Sequence, residues 1–140
     1  MDRDQLVSLL TSREDMWKQR NVRALTATYT ENATILSPMF AAVHGRPAIE
    51  KTFRDIFAVF PDMELVAEEL VIDGDRAAQA FRSVATHAQD FFGISATHRR
   101  FDVQGVFLYR FEGGLICNER RIYDFTSLLI QVGVLKARPG

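Results

Sequence analysis

The sequence has a single cysteine, Cys117, so an internal disulfide is excluded, and no set of Cys and His residues has metal-ligand spacing. It also has no excess of one charge. Seventeen basic and eighteen acidic residues give a formal net charge of -1, with no basic run and no acidic tail. Nothing in this balance attracts nucleic acid or an anionic membrane. We expect no metal, no other cofactor and no nucleic-acid partner.

Long hydrophobic runs are absent as well. Residues 1–20 are rich in charged side chains and do not form the apolar core of a signal peptide. The longest uncharged apolar stretch, residues 125–135, is well short of the roughly 20 residues needed to span a bilayer. We therefore expect a cytoplasmic protein without membrane contact.

The sequence has the size of one domain and many phenylalanines. Its 140 residues are enough to bury roughly two-thirds of the surface of the unfolded chain, so we treat residues 1–140 as a single domain. Hydrophobic residues make up 47% and charged residues 25%, as in ordinary globular proteins. Eleven phenylalanines predict a core or a pocket wall built from large flat side chains.

Helical patterns dominate the first part of the chain. Apolar residues at helical spacing predict an amphipathic helix over residues 2–20. A short second helix over residues 22–29 follows, and Asn21 can cap it. Pro47 suits the first turn of a third helix, which Pro61 ends.

Strand-like patterns dominate the second part. The turn sequences Asp73-Gly74-Asp75 and Gly113-Gly114 join apolar, alternating runs into two hairpins. A helix over residues 125–135 then closes one end. The predicted strands cover residues 33–36, 63–72, 76–86, 101–112 and 115–124.

Both faces of the predicted strand 101–112 are apolar, at least in part. Val106 and Leu108 lie on one face, and the other face carries Phe101, Val103, Phe107, Tyr109 and Phe111. Because helices can cover only one face of the sheet, we expect the other face to meet a second subunit in a homodimer.

Asp124 is the first candidate for chemistry, because it ends an apolar strand and precedes a helix whose apolar residues must pack inward. Partial burial would raise the pKa of this carboxyl and suit it to proton transfer near neutral pH. The alternative is that Asp124 caps the C-terminal helix, and the local pattern alone favours that alternative.

Arg82 is the second candidate, since it lies in a run of small and apolar residues. By alternation it shares a face with Ala80 and Val84, so we expect it to be buried with a partner. It would then orient Asp124 or bind a carbonyl or carboxylate of the substrate. The alternative is an ordinary outward-facing arginine.

Three further polar residues are weaker candidates. Asp102 and Gln104 share a face with Val106 and Leu108, so either can point into a cavity, although alternating polar residues also mark an exposed strand face. His87 falls where a strand breaks into a loop, where a lone histidine is more often a structural hydrogen bonder. The chain lacks a Gly-x-Ser-x-Gly elbow, so hydrolysis by a serine triad is not expected.

One loop also bears on the pocket. The segment 88–100 contains Phe91 and Phe92 and either covers the pocket mouth or the partner subunit, or is a plain connection with two core phenylalanines. The sequence favours neither alternative.

Several short strings occur in a specific order along nearly the whole chain. They are His44-Gly45-Arg46-Pro47-Ala48-Ile49, Phe60-Pro61-Asp62-Met63, Arg82-Ser83-Val84-Ala85-Thr86-His87, Thr97-His98-Arg99-Arg100-Phe101, Phe111-Glu112-Gly113-Gly114-Leu115-Ile116, Tyr123-Asp124-Phe125 and Leu128-Leu129-Ile130-Gln131-Val132-Gly133-Val134-Leu135. In order and spacing they resemble the SnoaL-like polyketide cyclase family, within the nuclear-transport-factor-2-like superfamily. The resemblance implies an α+β fold in which a cone-shaped, strongly curved mixed or antiparallel sheet wraps around N-terminal helices. It also implies an internal apolar pocket and a homodimer paired through the outer face of the sheet.

The resemblance also implies chemistry. Cyclases of this family close polyketide rings by intramolecular aldol condensation, using a carboxylate at the end of the last strand, and Asp124 stands in that position. Limonene epoxide hydrolases use the same Asp with an Arg and a second Asp on the third strand. Arg82 fits that pattern, but Val84 replaces the second Asp. Ketosteroid isomerases take their base from just after the first strand, where this sequence has Ser37.

The leading hypothesis is a small acid–base enzyme of the cyclase, isomerase or dehydratase type, acting on an apolar polycyclic or terpenoid-like ketone. Asp124 would exchange the proton, and Arg82 would orient Asp124 or the developing oxyanion. Gln104 and His87 would add hydrogen bonds, and three aromatic side chains would hold the substrate: Trp17, Phe57 and Tyr123. One alternative is a non-catalytic small-molecule-binding or accessory module of the same fold. Another is an activity similar to epoxide hydrolase with an incomplete Asp-Arg-Asp constellation.

Overall fold

A computed structural model of the chain describes residues 2–91 and 93–136, and these residues form four helices and one six-stranded sheet. The predicted α+β class is confirmed. The elements are α1 (Arg3–Lys18), α2 (Val22–Ala27), β1 (Tyr29–Leu36), β2 (Val43–His44), α3 (Arg46–Val59), β3 (Glu64–Asp73), β4 (Arg76–Thr86), β5 (Arg100–Glu112), β6 (Leu115–Tyr123) and α4 (Phe125–Gln131).

The helices begin where the sequence provides caps. Asp2 and Gln5 form a capping box at α1, each side chain accepting the other's backbone N–H at 2.9 Å. The Asn21 side chain accepts the Ala24 amide at 3.0 Å, so the predicted cap of α2 is confirmed. Pro47 lies in the first turn of α3, also as predicted. None of these helices is long and apolar enough to cross a membrane, within the residues that the structure describes.

The sheet is mixed and open, with the strand order β2-β1-β6-β5-β4-β3. β1 runs parallel to β6, and the other neighbouring strands are antiparallel. Register irregularities interrupt the β1–β6, β3–β4 and β5–β6 ladders. Such irregularities increase local twist and bend a strand, so they allow the sheet to curve around the helices.

The two faces of the sheet have different environments. The face toward the helices is apolar, and from β5 it receives the buried side chains of Phe101, Val103, Phe107, Tyr109 and Phe111. The buried stripe of α3, which includes Ile49, Phe53 and Ile56, joins the same core. Alternate residues of β5 point to the other, outer face, where Asp102, Gln104 and Leu108 are exposed.

The loop between β4 and β5 lies beside the core. The Phe91 ring packs against Phe60 and Phe40, with ring centroids 5.8 and 6.2 Å apart. The expectation for this loop also involved Phe92, which lies outside the described residues. Since Phe40 borders the cavity described below, Phe91 contributes to the second layer of its wall.

Candidate functional site

A cavity of about 60 Å³ lies between the helices and the inner face of the sheet. Its wall is mainly apolar and comprises Trp17, Ser37, Met39, Phe40, Ile56, Met63, Leu65, Phe81, Ser83, Phe101, Val103, Phe107, Arg121, Tyr123 and Leu128. Typical sites for small molecules measure roughly 300–1,000 Å³, so a polycyclic ligand enters only if wall side chains move. Met39 and Met63 are unbranched and adaptable, and they are suited to such a movement.

Among the described residues, Arg121 is the one charged side chain in this wall. Side chains alternate along a strand, so Glu119, Arg121 and Tyr123 of β6 all face inward. The guanidinium carbon of Arg121 lies 5.8 Å from the ring centroid of Trp17 and 5.9 Å from that of Phe107. A cation over aromatic faces gains some electrostatic stabilisation, which partly compensates for the hydration that the guanidinium loses on burial.

A buried carboxylate holds Arg121 in place. Glu119 is fully buried, and its Oε2 accepts a hydrogen bond from Nε of Arg121 at 2.6 Å. Its other oxygen, Oε1, accepts from the Tyr29 hydroxyl at 2.5 Å and from Nη2 of Arg13 at 3.3 Å. The carboxylate therefore has partners on both oxygens, which is the condition for burying it at tolerable cost.

Arg13 approaches the same carboxylate from α1. Its Nη2 also donates to the Tyr29 hydroxyl at 3.0 Å, and its Nη1 donates to the Thr28 hydroxyl. The guanidinium carbon lies 5.0 Å from the Tyr29 ring centroid and 5.7 Å from that of Tyr109. We call Arg13, Tyr29, Glu119 and Arg121 the buried ion cluster.

Burial and neighbouring charges shift the pKa values of these groups in opposite directions. Burial alone would raise the pKa of Glu119, but the guanidinium groups of Arg121 and Arg13 outweigh it and hold this pKa below its usual range. Burial would lower the pKa of Arg121, yet Glu119 and Tyr29 raise it above its ordinary value. Burial raises the pKa of Tyr123 to about 12, although Arg121 opposes this shift. Near neutral pH the arginines are charged, Glu119 is ionised and Tyr123 is neutral.

Of the aromatic and histidine residues predicted to contact the substrate, two line the cavity and two do not. Trp17 and Tyr123 line the cavity, so they are in position for the ligand contact predicted for them. Phe57 does not line it and instead packs edge-on against Trp17, with centroids 5.5 Å apart. His87 is buried outside the cavity, with Nδ1 at 3.1 Å from the Thr97 hydroxyl. Both of these residues support the fold around the site.

The expected burial of Arg82 is wrong. Arg82 points to the outer face, and about half of its side chain is exposed (52%). Its Nε donates to Oδ1 of Asp102 at 2.8 Å, and Gln104 lies opposite it in register, also exposed. The inner face of β4 instead carries Phe81 and Ser83. Neither Arg82 nor Gln104 reaches the cavity, because the alternation of their strands directs them away from it.

Asp124 lies at the start of α4 and is exposed. Its Oδ1 accepts the backbone N–H of Ser127 at 2.8 Å, which is the geometry of a helix N-cap. It is not part of the cavity wall, and the predicted neighbours Arg82 and Gln104 lie on the outer face. The geometry therefore favours the capping alternative, as the local sequence pattern also did.

Asp124→Asn is expected to change little, because Asn caps a helix about as well as Asp. Stability should stay within about 0.5 kcal/mol, whereas Asp124→Ala should cost about 1 kcal/mol through loss of the cap. Chemical denaturation measures both. In an assay of turnover, a loss of roughly 100- to 10,000-fold for Asp124→Asn would instead establish Asp124 as an acid–base group.

Sequence reasoning missed the buried ion cluster, although signals for it exist. Arg13 interrupts the apolar stripe of α1, between Leu10 and Trp17, and so lies on its buried face. On β6, Glu119 and Arg121 alternate with residues of the outer face. A buried ion pair is predicted by two such signals together: a charged residue within the buried stripe of a helix, and two oppositely charged residues on one face of a strand.

Comparison with known proteins agrees with this fold. A model of the SnoaL-like polyketide cyclase family matches residues 8–132. No curated protein sequence gives a significant match. Among solved structures, TsrD from Streptomyces laurentii superposes with a TM-score of 0.84 at 23% identity, covering 96% of this chain and 99% of TsrD.

Two further structures are similar. A proposed SnoaL-like polyketide cyclase from Jannaschia sp. CCS1 has a TM-score of 0.84 at 20% identity and covers 99% of both chains. TerC, co-crystallised with polyporic acid, has a TM-score of 0.76 at 12% identity and covers 91% of this chain and 98% of TerC. At these identities the structural likeness establishes the nuclear-transport-factor-2-like fold.

Proposed function

Because the chain belongs to the SnoaL-like polyketide cyclase family, we propose that it is a small-molecule enzyme of the cyclase, isomerase or dehydratase type whose apolar ketone substrate occupies the cavity. The observation that carries the proposal is the position of Arg121, a buried guanidinium in a mainly apolar wall. In a site shielded from water, such a group stabilises an oxygen that gains negative charge during a reaction.

The polar groups of the wall determine the type of chemistry. Arg121, Tyr123, Ser37 and Ser83 all have hydrogen bonds to donate. Tyr123 is a neutral phenol near pH 7 and is suited to give a proton. Groups of this kind favour a substrate that is itself a carbon acid, such as a 1,3-dicarbonyl compound, over one that requires a strong base.

A cyclisation in this site would need only Arg121, Tyr123 and water. The proton on the carbon between two carbonyls passes to water, and the electron pair of the C–H bond moves onto the carbonyl oxygen beside Arg121. The enolate carbon attacks a further carbonyl of the same molecule, outside the dicarbonyl unit, and forms a C–C bond while the π electrons of that C=O move onto its oxygen. The resulting alkoxide takes a proton from Tyr123, which regains one from water.

The relatives support a small-molecule ligand. The Jannaschia protein is described as a proposed polyketide cyclase, and TerC holds polyporic acid. In this chain the described wall of the cavity includes two adaptable methionines, Met39 and Met63, and four phenylalanines: Phe40, Phe81, Phe101 and Phe107. Apolar walls with a few fixed polar groups are typical of sites that bind such molecules.

Hydrogen exchange at a ketone tests the proposal without knowledge of the natural substrate. With 2-tetralone in D₂O, the protein should accelerate loss of the α-proton signals in ¹H NMR above the rate in buffer. Heat-denatured protein and Arg54→Gln, which alters an exposed arginine of α3 that does not line the cavity, are the controls. Exchange at the buffer rate while the ketone binds would contradict the enzymatic proposal.

That last result would support a second candidate, a binding or accessory module without chemistry of its own. Hydrogen-bond donors in an apolar wall suit this role too, because they can hold an oxygen-bearing ligand without changing it. Binding seen by calorimetry without any acceleration of exchange distinguishes the module from the enzyme.

We also propose that the outer face of the sheet pairs with a second copy of the chain. This face exposes large apolar side chains, whose relative exposures range from 38% to 58%: Val66, Val71, Leu108 and Ile122. Large apolar side chains exposed together on one sheet face are typical of a protein interface. Sedimentation at micromolar concentration should give a dimer, and a monomer would contradict the pairing.

A further inference from the structure

The buried ion cluster contains more positive than negative charge. Arg13 and Arg121 are cations, and within the described part of the chain Glu119 is the carboxylate with which both form ion pairs. Tyr29 is held neutral, because burial raises its pKa well above the ordinary value. One positive charge is therefore left over in the interior, next to the cavity.

A specific atom of Arg121 lacks a partner. Its Nε is bonded to Glu119, but its Nη2 is buried and has no hydrogen-bond partner among residues 2–91 and 93–136. The side chain as a whole is 93% buried, since 7% of it is exposed, and it forms part of the cavity wall. Leaving a buried donor on a charged group unpaired is costly, so its retention calls for an explanation.

We propose that the cavity binds its ligand as an organic anion, an apolar molecule whose negatively charged oxygen accepts a hydrogen bond from Nη2 of Arg121. The anionic oxygen supplies the missing acceptor and the missing negative charge together. A neutral ketone would supply only the acceptor. The remaining apolar part of the ligand would lie against the rings of the wall, such as Trp17 and Phe107.

This inference rests on the proposed function and narrows its substrate class. A carbon acid such as a 1,3-dicarbonyl compound ionises in water, so it can enter the cavity as its enolate, with the proton already given to the solvent. The site then needs only to hold the enolate oxygen and to protonate the product. A carboxylate group on the substrate would present the same anionic oxygen.

Two matched pairs of probes test the inference by calorimetry. Benzoate and benzamide have the same shape but differ in charge. Dimedone is ionised at neutral pH as an enolate, and 3,3-dimethylcyclohexanone is its neutral counterpart. The chain's only tryptophan, Trp17, lines the cavity, so a change in its fluorescence places each probe there.

We expect at least one anion to bind the wild type about 10- to 100-fold more tightly than its neutral partner, because hydrogen bonds to charged groups are the strong ones. Arg121→Gln should remove this preference and leave affinity for the neutral probe nearly unchanged. Arg54→Gln changes the net charge equally at an exposed site and should keep the preference. Preference for benzoate alone identifies a carboxylate ligand, and preference for dimedone alone identifies an enolate.

The inference is overturned if neither anion is preferred, or if Arg121→Gln weakens anionic and neutral probes equally. The affinities of anionic and neutral probes are also compared on the wild type, so the test remains valid even if Arg121→Gln does not fold. Arg121→Lys, which keeps the charge, provides a second variant. Ketone exchange in D₂O is measured separately, so an enzyme that prefers neutral ligands would contradict this inference and leave the proposed function intact.

Discussion

Glu119→Gln is expected to lower the free energy of unfolding by about 3–5 kcal/mol, because it removes the carboxylate that both buried arginines share. The substitution keeps the size of the side chain, so loss of charge is the main change. Arg13 and Arg121 would then lie in the interior with two positive charges and no anion to balance them. Urea denaturation followed by circular dichroism measures this loss.

Glu50→Gln is the matched control for this prediction. Glu50 forms an exposed pair with Arg54 on α3, and pairs of this kind contribute only about 0–1 kcal/mol. If Glu119→Gln and Glu50→Gln had equal effects on stability, the buried ion cluster would not contribute as described. Arg121→Gln should cost less than Glu119→Gln, since it leaves Arg13 and Glu119 as a balanced pair.

The same carboxylate makes stability depend on pH. The pKa of Glu119 is lowered in the folded protein, although burial opposes the shift, because Arg121 and Arg13 favour the ionised form. Its contribution is therefore fully present above the ordinary glutamate pKa of 4.5 and is lost as pH falls through the lower folded value. Glu119→Gln should flatten the fall in stability below about pH 4.5.

Arg121→Gln is expected to reduce kcat/KM for ketone exchange by roughly 100- to 1,000-fold, the usual cost of losing one donor that stabilises an oxyanion. Gln has no charge to place beside the developing oxygen, and its shorter side chain does not reach as far as Nη2 of Arg121. Arg54→Gln should retain the wild-type rate. An Arg121→Gln protein that is folded by circular dichroism and fully active would contradict the role assigned to Arg121.

The helices and the longer strands were predictable because their periodicity is local, whereas the two-residue strand β2 was not predicted. The 3.6-residue stripe of α3 and the alternation of β5 follow from side-chain geometry alone, and the caps at Asn21 and Pro47 follow from backbone hydrogen bonding. The start of β1 was less predictable. This strand begins at Tyr29, before two exposed polar residues, Glu31 and Asn32, that have no strand-like pattern.

The site was less predictable, because alternation tells which residues share a face but not which face is enclosed. Arg82 lies between Ala80 and Val84, and those small apolar residues suggested an interior. The outer face is itself partly apolar, with exposed Leu108 and Ile122, so apolar neighbours do not identify the concave side. Arg121 could be placed in the cavity only when the curvature of the sheet was known.

The ion pair between Arg13 and Glu119 joins residues 106 positions apart in the chain. Arg13 emerges from the ribosome long before Glu119, so the nascent N-terminal helices carry a cation that the hydrophobic interior cannot accept without its counterion. Closing so long a loop costs chain entropy before the ion pair can contribute any stabilisation. We therefore expect the interior to consolidate only when β6 docks beside β1, which makes that docking the step that commits the chain to its native state.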